Sequence, residues 1–232
     1  MFERIAENLA SVQERIRQAT TRSGRAADAV TLVAVTKYVS PEAAQALVAA
    51  GCSDLGESRP QELWDKAATI HSPQLRWHMI GHLQRNKIHR TLPLVSLIHS
   101  VDSERLMAAL EEEAASLRQT TAVLLEVNIS GEAAKHGFQA DEIEPFVARA
   151  NEFPHVEIRG LMGMSGLNSD ADEARREFAG LRQLRDRLLP HCPAGVSLAG
   201  LSMGMSHDFE IAIAEGATIV RIGSALFEGV NP

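Results

Sequence analysis

The sequence has little cysteine, no long apolar run and no basic tail. Its two cysteines, Cys52 and Cys192, are too few for a disulfide framework, so we expect a reduced, cytoplasmic protein. No stretch approaches about 18 consecutive apolar residues, so we expect no membrane span, and the N-terminus lacks the apolar segment of a signal peptide. The net charge of -7 argues against nucleic acid as a partner.

The composition is that of a globular protein: 232 residues, 45% of them hydrophobic and 23% charged. From about residue 31 onward, apolar β-rich runs alternate with helix-like stretches. The predicted strands are 31–36, 52–55, 76–80, 96–100, 122–128, 156–162, 196–201 and 218–222. The predicted helices between them are 41–50, 60–70, 83–91, 103–117, 141–151, 170–189 and 207–215, and residues 1–22 form a further amphipathic helix.

This alternation predicts an α/β fold with parallel strands covered on both faces. Eight strand–helix units in 232 residues fit a closed (β/α)₈ TIM barrel better than an open doubly wound sheet, and no Gly-x-Gly-x-x-Gly follows the first strand. No linker or low-complexity segment divides the chain. We therefore predict one domain over residues 1–232, with an extra helix at the N-terminus.

Active sites of TIM barrels lie at the C-terminal ends of the strands, and Lys37 closes the first predicted strand. Only four of the 23 basic residues are lysines, which makes its position more informative. An amine near desolvating walls is more readily neutral and acts as a Schiff-base nucleophile. The alternative is a lysine that merely ends a strand and reaches solvent.

The loops after the seventh and eighth predicted strands contain Gly204, Ser206, Gly223 and Ser224. Barrels commonly bind phosphate at these two loops, and Ser206 is a suitable N-cap for the following helix. The alternative is that the glycines serve tight turns and the serine only caps. Arg221, among apolar neighbours in the last strand, either pairs with a carboxylate or contacts a ligand.

His78 and His82 do not form a His-Glu-x-x-His motif, and their segment is predicted as a strand and a turn instead of a helix, so we predict no metal. Four segments nevertheless form a recognisable set: VAVTK at 33–37, WHMIGHLQRNK at 77–87, LSMGMSHDFE at 201–210 and VRIGSALF at 220–227. Together they resemble the pyridoxal-phosphate homeostasis protein family, whose fold is similar to the N-terminal barrel domain of bacterial alanine racemase. The resemblance covers nearly the whole chain.

The resemblance implies that pyridoxal 5′-phosphate (PLP) is bound to Lys37 as an internal aldimine. It also implies that Ser206, Gly223 and Ser224 hold the phosphate and that Arg221 faces the pyridine nitrogen. A guanidinium keeps its proton, so the ring nitrogen stays unprotonated and the ring is a poorer electron sink. The predicted cofactor-binding residues are Lys37, Ser58, His82, Met205, Ser206, Arg221, Gly223 and Ser224.

One segment departs from the family pattern. The family commonly has Gly-Glu-Asn-Tyr-x-Gln-Glu after the second strand, whereas residues 56–62 read GESRPQE here. Ser58 keeps a shorter hydrogen-bonding group in place of the asparagine. Arg59 replaces the tyrosine and adds a positive charge at the rim.

The resemblance implies a cytoplasmic carrier and buffer of PLP with little or no catalysis, monomeric, and supplying PLP-dependent apo-enzymes. Two enzymatic alternatives stay open. A PLP-dependent amino-acid racemase needs acid–base groups on both faces of the substrate carbon, and beside Lys37 only His82 is a candidate. A class I aldolase would use the Lys37 Schiff base without bound cofactor.

Overall fold

The computed structural model describes residues 1–130, 136–193 and 196–230, within which eight parallel strands close into a barrel. Each strand pairs with the next along the chain, and the last pairs with the first. The strands are β1 Thr31–Val35, β2 Asp54–Glu57, β3 Arg76–Met79, β4 Val95–Val101, β5 Thr121–Glu126, β6 Val156–Met162, β7 Gly200–Ser202 and β8 Ile219–Ile222. The predicted (β/α)₈ barrel is confirmed, and the assignment of residues 1–232 to one domain stays a prediction.

Helices cover the outside of the barrel. They are α1 Phe2–Arg22, α2 Pro41–Ala49, α3 Pro60–Ala67, α4 Ile88–Thr91, α5 Glu104–Leu117, α6 Ala140–Ala148, α7 Ala171–Leu188 and α8 Phe209–Ala214. Strand β5 is buried along its whole length, as expected of a strand that faces the barrel interior on one side and helices on the other. Because all strands are parallel, their C-terminal ends meet at one face of the barrel.

Helix α1 occupies the place of a helix after β8. Strand β8 is followed by a 3₁₀ turn, Ser224–Leu226, and α1 packs against α8 and α2. Its apolar side chains recur at three- and four-residue steps and are buried: Ile5, Leu9, Val12 and Ile16. Asn8 Nδ2 donates to the carbonyls of Leu226 and Glu228, at 3.1 and 2.9 Å, which ties the end of the chain to this helix.

Most strand boundaries differ from the prediction, by up to four residues at β7, which starts at Gly200 and not at residue 196. Strand β2 starts at Asp54, not at residue 52, because the Cys52 N–H donates to the Leu47 carbonyl and completes the end of α2. Gly51 adopts a φ of 96° in that turn, a conformation that favours glycine. Strand β1 ends at Val35, so Lys37 lies in the loop beyond the strand and does not close it.

The predicted helix over residues 83–91 is wrong in its first half. A 3₁₀ turn at Arg85–Lys87 precedes α4, and a second one at Leu92–Leu94 follows it. Pro93 has no amide hydrogen to continue the α-helical bonding, which keeps α4 short. In the described ranges no helix combines the length and apolar character needed to cross a bilayer.

Candidate functional site

A pocket of about 440 Å³ opens at the C-terminal face of the barrel. Seven of the eight residues predicted as ligand contacts line it: Lys37, Ser58, Met205, Ser206, Arg221, Gly223 and Ser224. Sequence reasoning missed the rest of the lining, which is mostly apolar and includes Val35, Ile80, Met164 and Phe227. In the sequence these side chains are indistinguishable from core residues. The pocket therefore combines apolar walls with a few polar groups, as small-molecule sites do.

Lys37 is exposed at the mouth of this pocket, which corrects the expectation of desolvating walls around its amine. Its Nζ lies 5.6 Å from the centroid of the Tyr38 ring, and the Arg59 guanidinium carbon lies 5.8 Å from the same ring. Tyr38 itself is 72% exposed and has a φ of 69°. The turn after β1 thus holds the amine where a solvent-borne ligand can reach it.

A buried ion pair fixes the chain just before Lys37. Lys66 Nζ donates to Glu57 Oε1 and to the Thr36 carbonyl, each at 2.6 Å. The Thr36 hydroxyl also donates to Glu57 Oε1 at 2.6 Å. The Lys66 and Glu57 side chains are 5% and 0% exposed. Because the Thr36 carbonyl immediately precedes Lys37, this pair anchors the turn from which the exposed amine projects.

Ser206 links the two loops predicted to bind phosphate. Its Oγ accepts the backbone N–H groups of Gly223 and Ala225, at 3.2 and 3.4 Å. A Cβ built on Gly223 would lie 3.3 Å from Val35 Cβ, so its main chain approaches the first strand closely. The Ser206 oxygen accepts these two amides and keeps its own proton to donate, and Ser206, Gly223 and Ser224 line the pocket together, a suitable arrangement for an anion.

The predicted N-cap role of Ser206 is wrong. Helix α8 starts at Phe209, and Asp208 precedes it. The Asp208 carboxylate is buried and accepts the Met205 N–H and the Ser165 hydroxyl, each at 2.6 Å. Because Asp208 ties the loop down, the Ser206 hydroxyl is left to bond across to the β8 loop.

Arg221 is 4% exposed and lies at the inner wall of the pocket. Its NH1 donates to the Ser202 carbonyl at 2.8 Å and to Ser202 Oγ at 2.6 Å, and its NH2 donates to the Gly163 carbonyl at 3.3 Å. Burial lowers the pKa of the guanidinium to about 10, while the charges of Glu126 and Asp208 oppose that shift. Arg221 thus stays protonated at neutral pH and is held by neutral acceptors.

His82, the eighth predicted contact, lies outside the pocket lining. Its Nδ1 is 3.1 Å from Asp102 Oδ2, and its ring stacks on His136 with the centroids 5.2 Å apart. Ligand atoms of these three side chains lie within 4.8 Å of one another. Three exposed or half-buried ligands are fewer than the four of a structural zinc site, and the absence of a metal stays a prediction.

Sequence comparisons place the chain near proteins of one kind. The model of the alanine racemase N-terminal domain matches residues 7–232. The pyridoxal phosphate homeostasis protein of Aquifex aeolicus is 39% identical over 221 residues, covering 95% of this chain and 96% of that protein. The protein of the same name from Deinococcus radiodurans is 42% identical over 213 residues, covering 91% of this chain and 95% of that protein.

Solved structures agree with this similarity. PipY of Synechococcus elongatus PCC7942, with PLP bound, superposes with a TM-score of 0.85 at 33% identity, covering 96% of this chain and 99% of that one. An alanine racemase of Clostridium difficile 630 has a TM-score of 0.77 at 15% identity, and the match covers 97% of this chain but 56% of the racemase. The similarity to the racemase, at 15% identity, shows a shared fold alone.

Proposed function

The chain belongs to the alanine racemase N-terminal domain family, among the pyridoxal phosphate homeostasis proteins, and on that premise we propose that it binds PLP in the pocket at the C-terminal face of the barrel. The observation that carries the proposal is the meeting of Lys37 with the Ser206 and Gly223 loops in one cavity. An amine and an anion-binding end in the same pocket are what an aldehyde that bears a phosphate requires.

The pocket fits this ligand in three respects. Its volume of about 440 Å³ lies within the usual range for small-molecule sites. Its walls at Val35, Ile80 and Met164 are apolar, which suits a flat aromatic ring. Ser206, Gly223 and Ser224 bring two loops to the lining, and the Ser206 hydroxyl, whose oxygen accepts the Gly223 amide, keeps its own proton to donate to a phosphate oxygen.

When bound, PLP supplies an aldehyde that condenses with a neutral lysine amine, releasing one water, and a pyridine ring that withdraws electrons. Lys37 provides the amine from a turn held in place by Lys66. Arg221 would contact the ring nitrogen, and because a guanidinium only donates hydrogen bonds, that nitrogen would act as an acceptor and stay unprotonated. A neutral ring stabilises a carbanion poorly, which favours holding the cofactor over turning over an amino acid.

We further propose that the protein acts in the cytoplasm as a monomeric carrier and buffer of PLP, and that PLP-dependent apo-enzymes receive the cofactor from it. Support comes from the exposure of Lys37 at the pocket mouth, because an amine open to solvent can release its ligand without unfolding the site. The exposed Tyr38 ring beside it leaves room for a receiving protein to approach.

Replacing Lys37 with alanine tests the covalent attachment. We expect Lys37→Ala to remove the visible absorbance that develops when PLP is added, while the circular dichroism spectrum stays unchanged. Lys87→Ala, which removes an amine that lies against Trp64 instead, is the matched control and should keep the absorbance. Borohydride reduction and peptide mass spectrometry should locate the pyridoxyl group on Lys37. Retained absorbance in Lys37→Ala, or a parent protein that stays colourless, contradicts the proposal.

Replacing Ser206 with aspartate tests whether the phosphate of PLP lies against this side chain. We expect Ser206→Asp to weaken PLP binding at least about tenfold, because a carboxylate facing a phosphate costs several kcal/mol. Ser197→Asp is a matched control, since it adds the same charge at an exposed position before β7, away from the pocket. Equal affinities of the two variants, measured by absorbance titration, would place the phosphate elsewhere.

A further inference from the structure

A row of buried polar side chains crosses the barrel interior and ends on Arg221. It begins at Asp54, at the start of β2, and continues through His78 on β3, His99 on β4 and Ser202 on β7. Asp54 Oδ1 lies 2.9 Å from His78 Nε2, and His78 Nδ1 lies 2.9 Å from His99 Nε2. His99 Nδ1 lies 2.8 Å from Ser202 Oγ, which lies 2.6 Å from Arg221 NH1. We call these four residues before Arg221 the interior relay.

The interior relay is shielded from water along its length. Exposure is 4% at Asp54, 5% at His78 and 0% at both His99 and Ser202. Only at its Asp54 end does it approach the surface, where Arg76, with a side chain 55% exposed, binds the same carboxylate at 2.6 Å. Hydrogen bonds in such a low-dielectric interior are electrostatically stronger than in water.

The donors and acceptors along the interior relay have one consistent direction. A guanidinium only donates, so Ser202 Oγ accepts from Arg221, which leaves its own proton to donate, and we assign that proton to His99 Nδ1, 2.8 Å away. Burial above all, and then the neighbouring His78 and Arg221, lowers the pKa of His99 well below its usual range, so this ring is neutral. With Nδ1 accepting, the His99 proton is on Nε2 and is donated to His78 Nδ1.

The direction continues to the carboxylate. With its Nδ1 accepting, His78 carries its proton on Nε2 and donates it to Asp54 Oδ1. Burial opposes the charge on Asp54, but hydrogen bonds from His78, Arg76 and Ser53 together lower the pKa of this carboxyl below its usual range. All donors point toward the negative end, and each hydrogen bond polarises the next in the same sense.

From this geometry we propose that Asp54, His78, His99 and Ser202 are positioning residues that orient the Arg221 guanidinium in the pocket and pass part of the Asp54 charge to it. Arg221 is buried, and among the described residues no carboxylate lies within 4.0 Å of it, so the interior relay takes the place of a direct ion pair. The inference rests on the proposed function, because it assigns these residues a role in setting the environment of the PLP ring nitrogen.

Two substitutions at His99 separate the halves of the interior relay. In His99→Asn the side-chain amide reaches the position of Nδ1, which keeps the Ser202 contact and breaks the His78 contact. In His99→Gln the amide reaches the position of Nε2, which keeps the His78 contact and breaks the Ser202 contact. His89→Asn, at an exposed histidine paired with Glu113, is the matched control.

We expect both His99 variants to shift the visible absorption maximum of the PLP-loaded protein, with the larger shift in His99→Gln. Their dissociation constants for PLP should rise about two- to tenfold, the effect of losing one hydrogen bond. The control should change neither quantity. Unchanged spectra in both variants would overturn the inference, and so would a change in His99→Gln alone, since Ser202 would then orient Arg221 without Asp54.

A second measurement needs no cofactor. Long-range proton–nitrogen correlation spectra of the ¹⁵N-labelled protein at neutral pH should show His78 and His99 as neutral rings with the proton on Nε2. A proton on Nδ1 of His99, or a doubly protonated His78, would overturn the proposed direction. If the parent protein fails to bind PLP, the proposed function fails, and these spectra still test the proposed direction of the hydrogen bonds in the interior relay. If PLP binds at Lys37 and the variant spectra do not move, the function stands and the inference fails.

Discussion

Replacing Lys66 with methionine should destabilise the protein by about 3–5 kcal/mol, because the change leaves the buried Glu57 carboxylate without its counter-charge. The two charged groups are 2.6 Å apart, and their side chains are 5% and 0% exposed. At an effective dielectric constant of about 20, Coulomb attraction at this distance amounts to about 6 kcal/mol. Desolvation of the two ions offsets part of that attraction, and the loss of one partner leaves the desolvation of the other uncompensated.

The remaining contacts of Glu57 cannot replace Lys66. Its Oε1 accepts the Thr36 hydroxyl, and its Oε2 is the one buried side-chain polar atom without a hydrogen-bond partner among the described residues. Urea unfolding of Lys66→Met followed by circular dichroism, fitted with the slope of the parent, measures the loss. In a protein of this size the midpoint of thermal unfolding should fall by about 6–20 °C.

The double variant Glu57→Gln with Lys66→Met is the control. It leaves no buried charge, and the glutamine amide oxygen still accepts the Thr36 hydroxyl. We expect it to recover at least about 2 kcal/mol of the loss in Lys66→Met. A loss below about 1 kcal/mol in the single variant, as for a surface pair, or a double variant no more stable than the single one would refute the reasoning.

Two further predictions follow from buried titratable groups. Burial raises the pKa of the Cys52 thiol to about 11, whereas Cys192 is partly exposed. Ellman's reagent should therefore label Cys192 in the folded protein and Cys52 only after unfolding. Equal labelling rates of the two thiols would contradict this prediction. Burial, and then the charge of Asp102, raises the pKa of Glu126 in the folded protein. The Glu126 carboxyl therefore favours folding at a pH below the ordinary carboxyl pKa, and it opposes folding as the pH rises through its folded pKa. Glu126→Gln should therefore unfold at higher urea than the parent at neutral pH, with the difference vanishing in acid, and a less stable variant at neutral pH would contradict the assignment.

Local patterns in the sequence were sufficient for the barrel. The apolar spacing of Ile5, Leu9, Val12 and Ile16 predicts α1, and the predicted strand over residues 156–162 matches β6. Errors fall where a backbone hydrogen bond decides the boundary, as at Cys52, whose N–H ends helix α2 instead of starting β2. The spacing of apolar residues in the sequence does not show which carbonyl a backbone N–H will bond.

Much of the pocket was also predictable, because the fold brings all strand ends to one face. Lys37, Ser206 and Gly223 all follow predicted strands, and they line the same cavity. The hydroxyl of Ser206 was assigned to the wrong partner, since its bond to Gly223 joins residues 17 positions apart. His82, which the resemblance includes among the cofactor-binding residues, lies outside the lining and pairs with Asp102.

The sequence by itself determined the alternation of strands and helices and the residue types at the strand ends, because hydrophobic period and turn chemistry are local properties of the chain. Only the tertiary structure decided the polar contacts inside the barrel. His99 and Ser202 are 103 positions apart and on strands that do not pair, and they meet because closing the barrel turns both side chains inward. Their partnership depends on barrel closure, which no local pattern encodes.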